Sequence, residues 1–127
     1  MNIDYSKYNN DINIILSKQL ENGSDYWTTP DGATGIGGPF STLESCLILS
    51  DLGYDLKSPE LIGASNAILN CQKDDGRIQT FTTGTIYPYQ TANAAKVLCR
   101  LGLSNDKRLS KTYNFHTNAD CTRPMPI

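Results

Sequence analysis

Apolar residues recur at helical spacing in five stretches of the chain, and the polar and glycine-bearing segments between them mark where each stretch stops. Over residues 4–21 the apolar face is Ile12, Ile14, Ile15 and Leu16, with Tyr5 and Tyr8 a turn or two earlier. Asp4 is placed to cap the start, and Gly23 suits the left-handed position that ends a helix. Over residues 40–53, Leu43, Cys46, Leu47, Ile48, Leu49 and Leu52 are apolar nearly all round, which predicts a helix buried on most sides. Its start has two readings: Pro39 at the first helical position, or Ser41 as a cap with Glu44 three residues on as a capping box. The third helix opens on Ser58-Pro59-Glu60, a cap, a first-turn proline and an acid that complements the helix dipole. It runs through Leu61, Ile62, Ala64, Ala67, Ile68, Leu69 and Cys71 towards Gln72–Gly76. Residues 89–101 give a fourth helix with Asn93, Lys96 and Arg100 as its polar stripe, stopped by Gly102. A fifth, about 105–116, starts near Ser104 or Asn105 and carries Leu109, Tyr113 and Phe115. No stretch alternates apolar with polar residues, so the expected fold is all-α, with about five helices.

The pattern also repeats. Residues 34–53 and 83–102 align without gaps, and seven of the twenty positions are identical: Thr34/Thr83, Gly35/Gly84, Pro39/Pro88, Thr42/Thr91, Leu49/Leu98, Leu52/Leu101 and Gly53/Gly102. Average composition would give about one. A second motif is shared at its own offset: Ile15/Ile68, Leu16/Leu69, Gln19/Gln72 and Gly23/Gly76. Repeats of this period point to stacked α/α hairpins. The expected organisation is one domain over residues 1–127, with units of about 4–39, 40–87 and 88–127. Pro126 stands as a third copy of Pro39 and Pro88, so the chain reads as an arc cut at a repeat boundary. Between helices one and two, residues 24–39 form a loop long enough to be either packed on itself or functional.

Charge narrows the partners. The chain of 127 residues carries a formal charge of −2 and no basic run, which argues against nucleic acid and anionic membranes. No apolar run reaches about 20 residues, so no membrane span is expected. No signal peptide is visible at the N-terminus, and the expected location is cytoplasmic. The four cysteines, Cys46, Cys71, Cys99 and Cys121, form no C-x-x-C pair. Three of them lie in apolar helical patterns, and reduced structural thiols are expected.

The motifs Ile15-Leu16-x-x-Gln19-x-x-x-Gly23 and Ile68-Leu69-x-x-Gln72-x-x-Asp75-Gly76, with Pro39-x-x-Thr42 and Pro88-x-x-Thr91 each leading to a Leu-Gly stop, resemble the α/α-toroid repeat of prenyltransferase β-subunits, terpene (squalene) cyclases and complement thioester domains. The resemblance covers roughly residues 12–118. It implies a partial α/α toroid in which the glutamine ties one helix end to the next. It also implies a cavity whose mouth would be lined by Trp27, Phe40, Tyr87 and Tyr89, with Gln90 and Asn93 as polar neighbours. Such walls suit an isoprenoid or other apolar small molecule.

The family's chemistry is not carried over. Lys73-Asp74-Asp75-Gly76 lacks the first acid of the cyclase D-x-D-D motif, and no D-x-C zinc pair or thioester stretch is present. His116, Asp120 and Cys121 are the one grouping with mixed metal-ligand chemistry, a secondary reading in favour of zinc. No catalytic residue and no cofactor are otherwise expected. The expectation is a non-catalytic helical-repeat binding or scaffold module. It would self-associate or dock on the rest of a longer toroid, since end helices of repeat arrays need covering. The alternative is part of an enzyme acting on an isoprenoid-like substrate.

Overall fold

The computed structural model describes residues 6–115, and its architecture is all-α with five helices. They are α1 (Asn9–Ser17), α2 (Thr42–Asp51), α3 (Pro59–Leu69), α4 (Pro88–Arg100) and α5 (Arg108–Phe115). Among the described residues there is no strand, only an isolated bridge between Gln72 and Ile78. No helix there is long and apolar enough to cross a membrane.

The helix starts follow local chemistry. Ser41 caps α2, its Oγ accepting the Glu44 amide at 3.2 Å. Pro39 sits instead in a separate 3-10 turn, Gly38–Phe40, because Gly37 and Gly38 both adopt positive φ and turn the chain before the helix begins. Ser58 caps α3 with Pro59 in the first turn, as the sequence predicts. Pro88 opens α4, where a missing amide costs nothing.

Three helix bounds differ from expectation. α1 is preceded by a 3-10 turn, Ser6–Tyr8, and gives way after Ser17 to successive tight turns up to Gly23. α3 ends at Leu69, because Cys71, Gln72 and Lys73 turn back to meet Arg77 and Gln79. α5 begins at Arg108 rather than near Ser104, since Asp106 accepts the Arg108 amide and holds the preceding residues in a turn.

α2 is the central element. It packs on α1, α3 and α4, and α5 packs on α4. Ser45, Cys46 and Leu49 on α2 are fully enclosed, as are Leu61, Ala64 and Ile68 on α3, Ala94 and Leu98 on α4, and Leu109 on α5. Burying a Leu or Ile side chain is worth about 1.5–3 kcal/mol, so this shared core fixes the helix arrangement. Leu49 and Leu98, a repeat pair, both contribute to it. Only Glu44 and Asp51 on α2 are exposed, which agrees with its nearly continuous apolar surface.

Candidate functional site

Two loops meet at one end of the helices, where α1 and α3 finish and α2 and α4 begin. Loop 1 covers residues 18–41 and loop 2 residues 70–87. Each is folded back onto its own first residues, just past the helix before it. In loop 1 the Trp27 amide donates to Gln19 O at 2.8 Å; in loop 2 the Gln79 amide donates to Cys71 O at 3.2 Å. Each is also tied to the helix after it by the repeated threonine. Thr42 Oγ1 donates to Tyr26 O at 3.0 Å, and Thr91 Oγ1 accepts the Ile78 amide at 3.1 Å.

The loops then pack against one another. The Thr34 and Gly35 amides both donate to Thr80 O, at 3.2 and 3.0 Å. The Thr29 and Thr82 hydroxyls donate to the Asp31 carboxylate, which holds its carboxyl below the usual value. A side chain at Gly35 would crowd Thr80 at 3.1 Å, so glycine here permits the close approach of the two loops.

An open groove of about 430 Å³ runs between these loops and the first turns of α2 and α4. It is lined by Gly35, Gly38 and Pro39 of loop 1, Thr80 and Phe81 of loop 2, the cap residue Ser41 with Leu43 and Glu44 of α2, and Tyr89 and Asn93 of α4. The six aromatic and polar candidates fall in different places. Tyr89 and Asn93 line the groove. Tyr87 stacks on Tyr89, with ring centroids 6.0 Å apart and planes 11° from parallel; both rings are 54% exposed. Phe40 is partly buried against the core beneath Lys18, whose Nζ lies 5.8 Å from its ring centroid.

Trp27 and Gln90 do not face the groove. Trp27 has no exposed surface, and its indole Nε1 donates to Ile15 O at 2.9 Å inside the core. Gln90 is 2% exposed and spent within loop 2, accepting the Thr80 amide at 3.0 Å and donating to Thr85 O at 3.1 Å. The sequence placed both beside the loops correctly, but a helix-start position does not say whether a side chain points outwards or in.

Glu44 and Phe81 are groove residues that the aromatic and helix-start pattern did not single out. A capping box with Glu44 is one of the two readings of the α2 start, and half of that box forms. Ser41 Oγ accepts the Glu44 amide, yet the Ser41 amide donates to Gly38 O at 3.2 Å within the 3-10 turn. The partner to which a capping-box carboxylate reaches back is therefore already taken. No cation pairs with Glu44 among the described residues.

The thiols divide. Cys46 is buried and free, its thiol pushed up to about 12 by burial, which makes it inert. Cys71 is free and half-buried, its thiol also raised by burial. Cys99 is disulfide-bonded. The expectation of reduced thiols thus holds for Cys46 and Cys71 and fails for Cys99.

His116, Asp120 and Cys121, the zinc candidates, lie outside the described residues. Among the described residues no three His, Cys, Asp or Glu come together in a metal-binding group. Asp74 and Asp75 sit in the turn after α3, where Asp75 accepts the Arg77 amide at 3.0 Å and its Nε at 2.8 Å. No family model, curated protein or solved structure matches the chain.

Proposed function

We propose that this chain is a non-catalytic helical-repeat module of the prenyltransferase and terpene-cyclase type, an arc of an α/α toroid that binds a partner on its paired-loop face. One observation carries the reading: the side chains of Thr42, Gln72, Gln90 and Thr91 at the helix–loop junctions are consumed in tying loops and helices together. Gln72 Nε2 bridges from the end of α3 to Arg108 O at 2.7 Å and Thr112 Oγ1 at 2.9 Å, the tie between helix ends that the repeat implies. Thr42, Thr91 and Gln90 hold the loops in the same way. What remains accessible is an open groove with exposed aromatic rings, a surface suited to recognition.

Partly exposed apolar residues lie elsewhere, Ile14 and Leu20 in and after α1 and Leu56 and Ile62 before and on α3. They support association of the arc with further repeats, its own or a second copy's. The mass in solution by light scattering on a size-exclusion column is expected to exceed that of a monomer. The reading itself is tested by titrating ¹⁵N-labelled protein with farnesyl diphosphate as an isoprenoid probe. No saturable shift is expected at Gly35, Phe81, Tyr89 or Asn93. Saturable shifts confined to those residues would favour the enzyme reading instead.

A further inference from the structure

We infer that the groove between the loops takes an extended, proline-containing peptide segment bearing one basic residue. This rests on the binding-module reading above and names the partner that such a module would hold.

Three features of the groove select this occupant. Its lining combines aromatic rings, Phe81 and Tyr89, with small or ring-locked residues, Gly35, Gly38 and Pro39. A polyproline-II segment has no internal hydrogen bonds and presents flat pyrrolidine faces, which pack on exposed aromatic rings at little entropic cost. The Tyr87–Tyr89 stack continues the aromatic surface at the start of α4 and is held there by the helix rather than by a mobile loop. The exposed neutral polar group of the groove is the Asn93 amide, planar and able to donate to the carbonyls that such a segment leaves unpaired.

The third feature fixes the charge. Glu44 is the one charged residue of the lining. The 3-10 turn has taken its capping-box partner, and no described cation neutralises it. It shares the groove lining with Phe81 and Tyr89, a combination that favours Arg or Lys on the ligand through both the carboxylate and the ring faces. An isoprenoid diphosphate would bring its negative charge to this same carboxylate, so electrostatics select against that occupant.

The test uses the ¹⁵N-labelled full chain and three peptides of equal length: polyproline with a leading arginine, polyproline with a leading glutamate, and a glycine–serine peptide with the same arginine. The arginine–proline peptide is expected to shift Gly35, Thr80, Phe81 and Asn93 saturably, with a dissociation constant on the order of 0.1 mM, typical of short peptides in shallow grooves. The glutamate peptide should bind at least about fivefold more weakly and the glycine–serine peptide not saturably. Tyr89→Ala should abolish binding, and Glu44→Gln should remove the preference for arginine over glutamate while leaving proline recognition. Equal affinity for the two proline peptides, or shifts centred away from the groove, overturns the proposal. If neither these peptides nor farnesyl diphosphate bind, this inference falls and the module reading stands. If farnesyl diphosphate alone shifts the groove, both fall.

Discussion

Loop 1 and loop 2 start from the same repeated motif and end on the same Pro-x-x-Thr, yet one is closed and the other open. In loop 1, Asn22 reaches across: its Nδ2 donates to Trp27 O and to Phe40 O, both at 2.9 Å. Gly37 passes directly over this amide, where any side chain would collide with it. The repeat counterpart of Asn22 is Asp75, which has no hydrogen to donate. It turns to Arg77 instead, and Ile86 stands where Gly37 stood. The result is an open groove of about 480 Å³ lined by Gln72–Asp75, Arg77 and Ile86. An amide and a carboxylate are nearly equal in size, so the difference lies in hydrogen-bond polarity. One repeat seals its loop with a donor, and the other leaves it ajar.

The seal holds a strained backbone. Tyr26 and Trp27 both have positive φ, 56° and 63°, which costs non-glycine residues roughly 1–2 kcal/mol each. Four bonds hold them: Trp27 N to Gln19 O, Trp27 Nε1 to Ile15 O, Asn22 to Trp27 O and Thr42 to Tyr26 O. The Tyr26 ring also rests on Gly63 of α3, where even a methyl group would clash. Ile78 is a fully buried apolar residue of loop 2 and has no such strain to hold. The largest expected effect therefore comes from Trp27→Ala, a loss of about 3–5 kcal/mol in denaturant unfolding, against about 2–4 kcal/mol for Ile78→Ala. Equal losses would mean that the indole only fills space and that loop 1 is no more braced than loop 2.

Exchanging the seal is the next test. Asn22→Asp removes two donated bonds and faces a carboxylate with two carbonyl oxygens, an expected cost of about 2–3 kcal/mol. Amide exchange should speed up around Trp27 and leave α4 unchanged. The reverse change, Asp75→Asn, gives up only an exposed pairing with Arg77 and should leave the unfolding midpoint nearly unchanged. Similar effects for the two substitutions would break the comparison.

How far the sequence discloses this structure follows the same division. The five helices, the Ser41 and Ser58 caps and the Leu49/Leu98 core pair are legible because periodicity and capping are local. The role of Gln72 was legible only in part and only through the family resemblance: it ties a helix end, but to α5 rather than to the next helix. The role of Gln19 was not legible: its Nε2 makes only a 3.4 Å contact with Leu16 O in its own turn, while its backbone carbonyl receives Trp27. The groove was legible in part. Tyr89 and Asn93 line it, but Trp27 turns inward because its indole finds Ile15 O twelve residues back, a partner that no local pattern reveals. Glu44 was hidden by its own motif, since only the 3-10 turn at Gly38–Phe40 shows that its partner is taken. The Gln pair gives a third test. Gln72→Ala strips Thr112 and Arg108 O of a donor and should cost about 1–2 kcal/mol, whereas Gln19→Ala should cost a few tenths, about 0.3 kcal/mol.

The smallest expected effect concerns two Asp-x-Arg clasps, one after α3 and one before α5. Asp106 accepts the Arg108 amide and guanidinium, and these bonds hold its carboxyl down to about 2 from 3.8. Asp75 is lowered in direction by the Arg77 amide, and then by its side chain. A depressed native value means that the unfolded chain takes up the proton first. The clasp then contributes fully above the unfolded value and is lost as pH falls from about 4 towards 2. Both clasps are at the surface, so salt should weaken the effect. Denaturation midpoints measured between about pH 6 and 2.5 should show a shallower acid loss for Asp106→Asn than for the unsubstituted chain, and a smaller change for Asp75→Asn. Asp106 starts α5, the helix that Gln72 and Thr112 tie back to the turn at Gly76, so its protonation loosens a packed helix. Asp75 borders the open groove and restrains only its own turn. If Asp75→Asn flattened the acid limb as much as Asp106→Asn, loop 2 would be clamped as firmly as α5, and its openness would owe nothing to the missing amide.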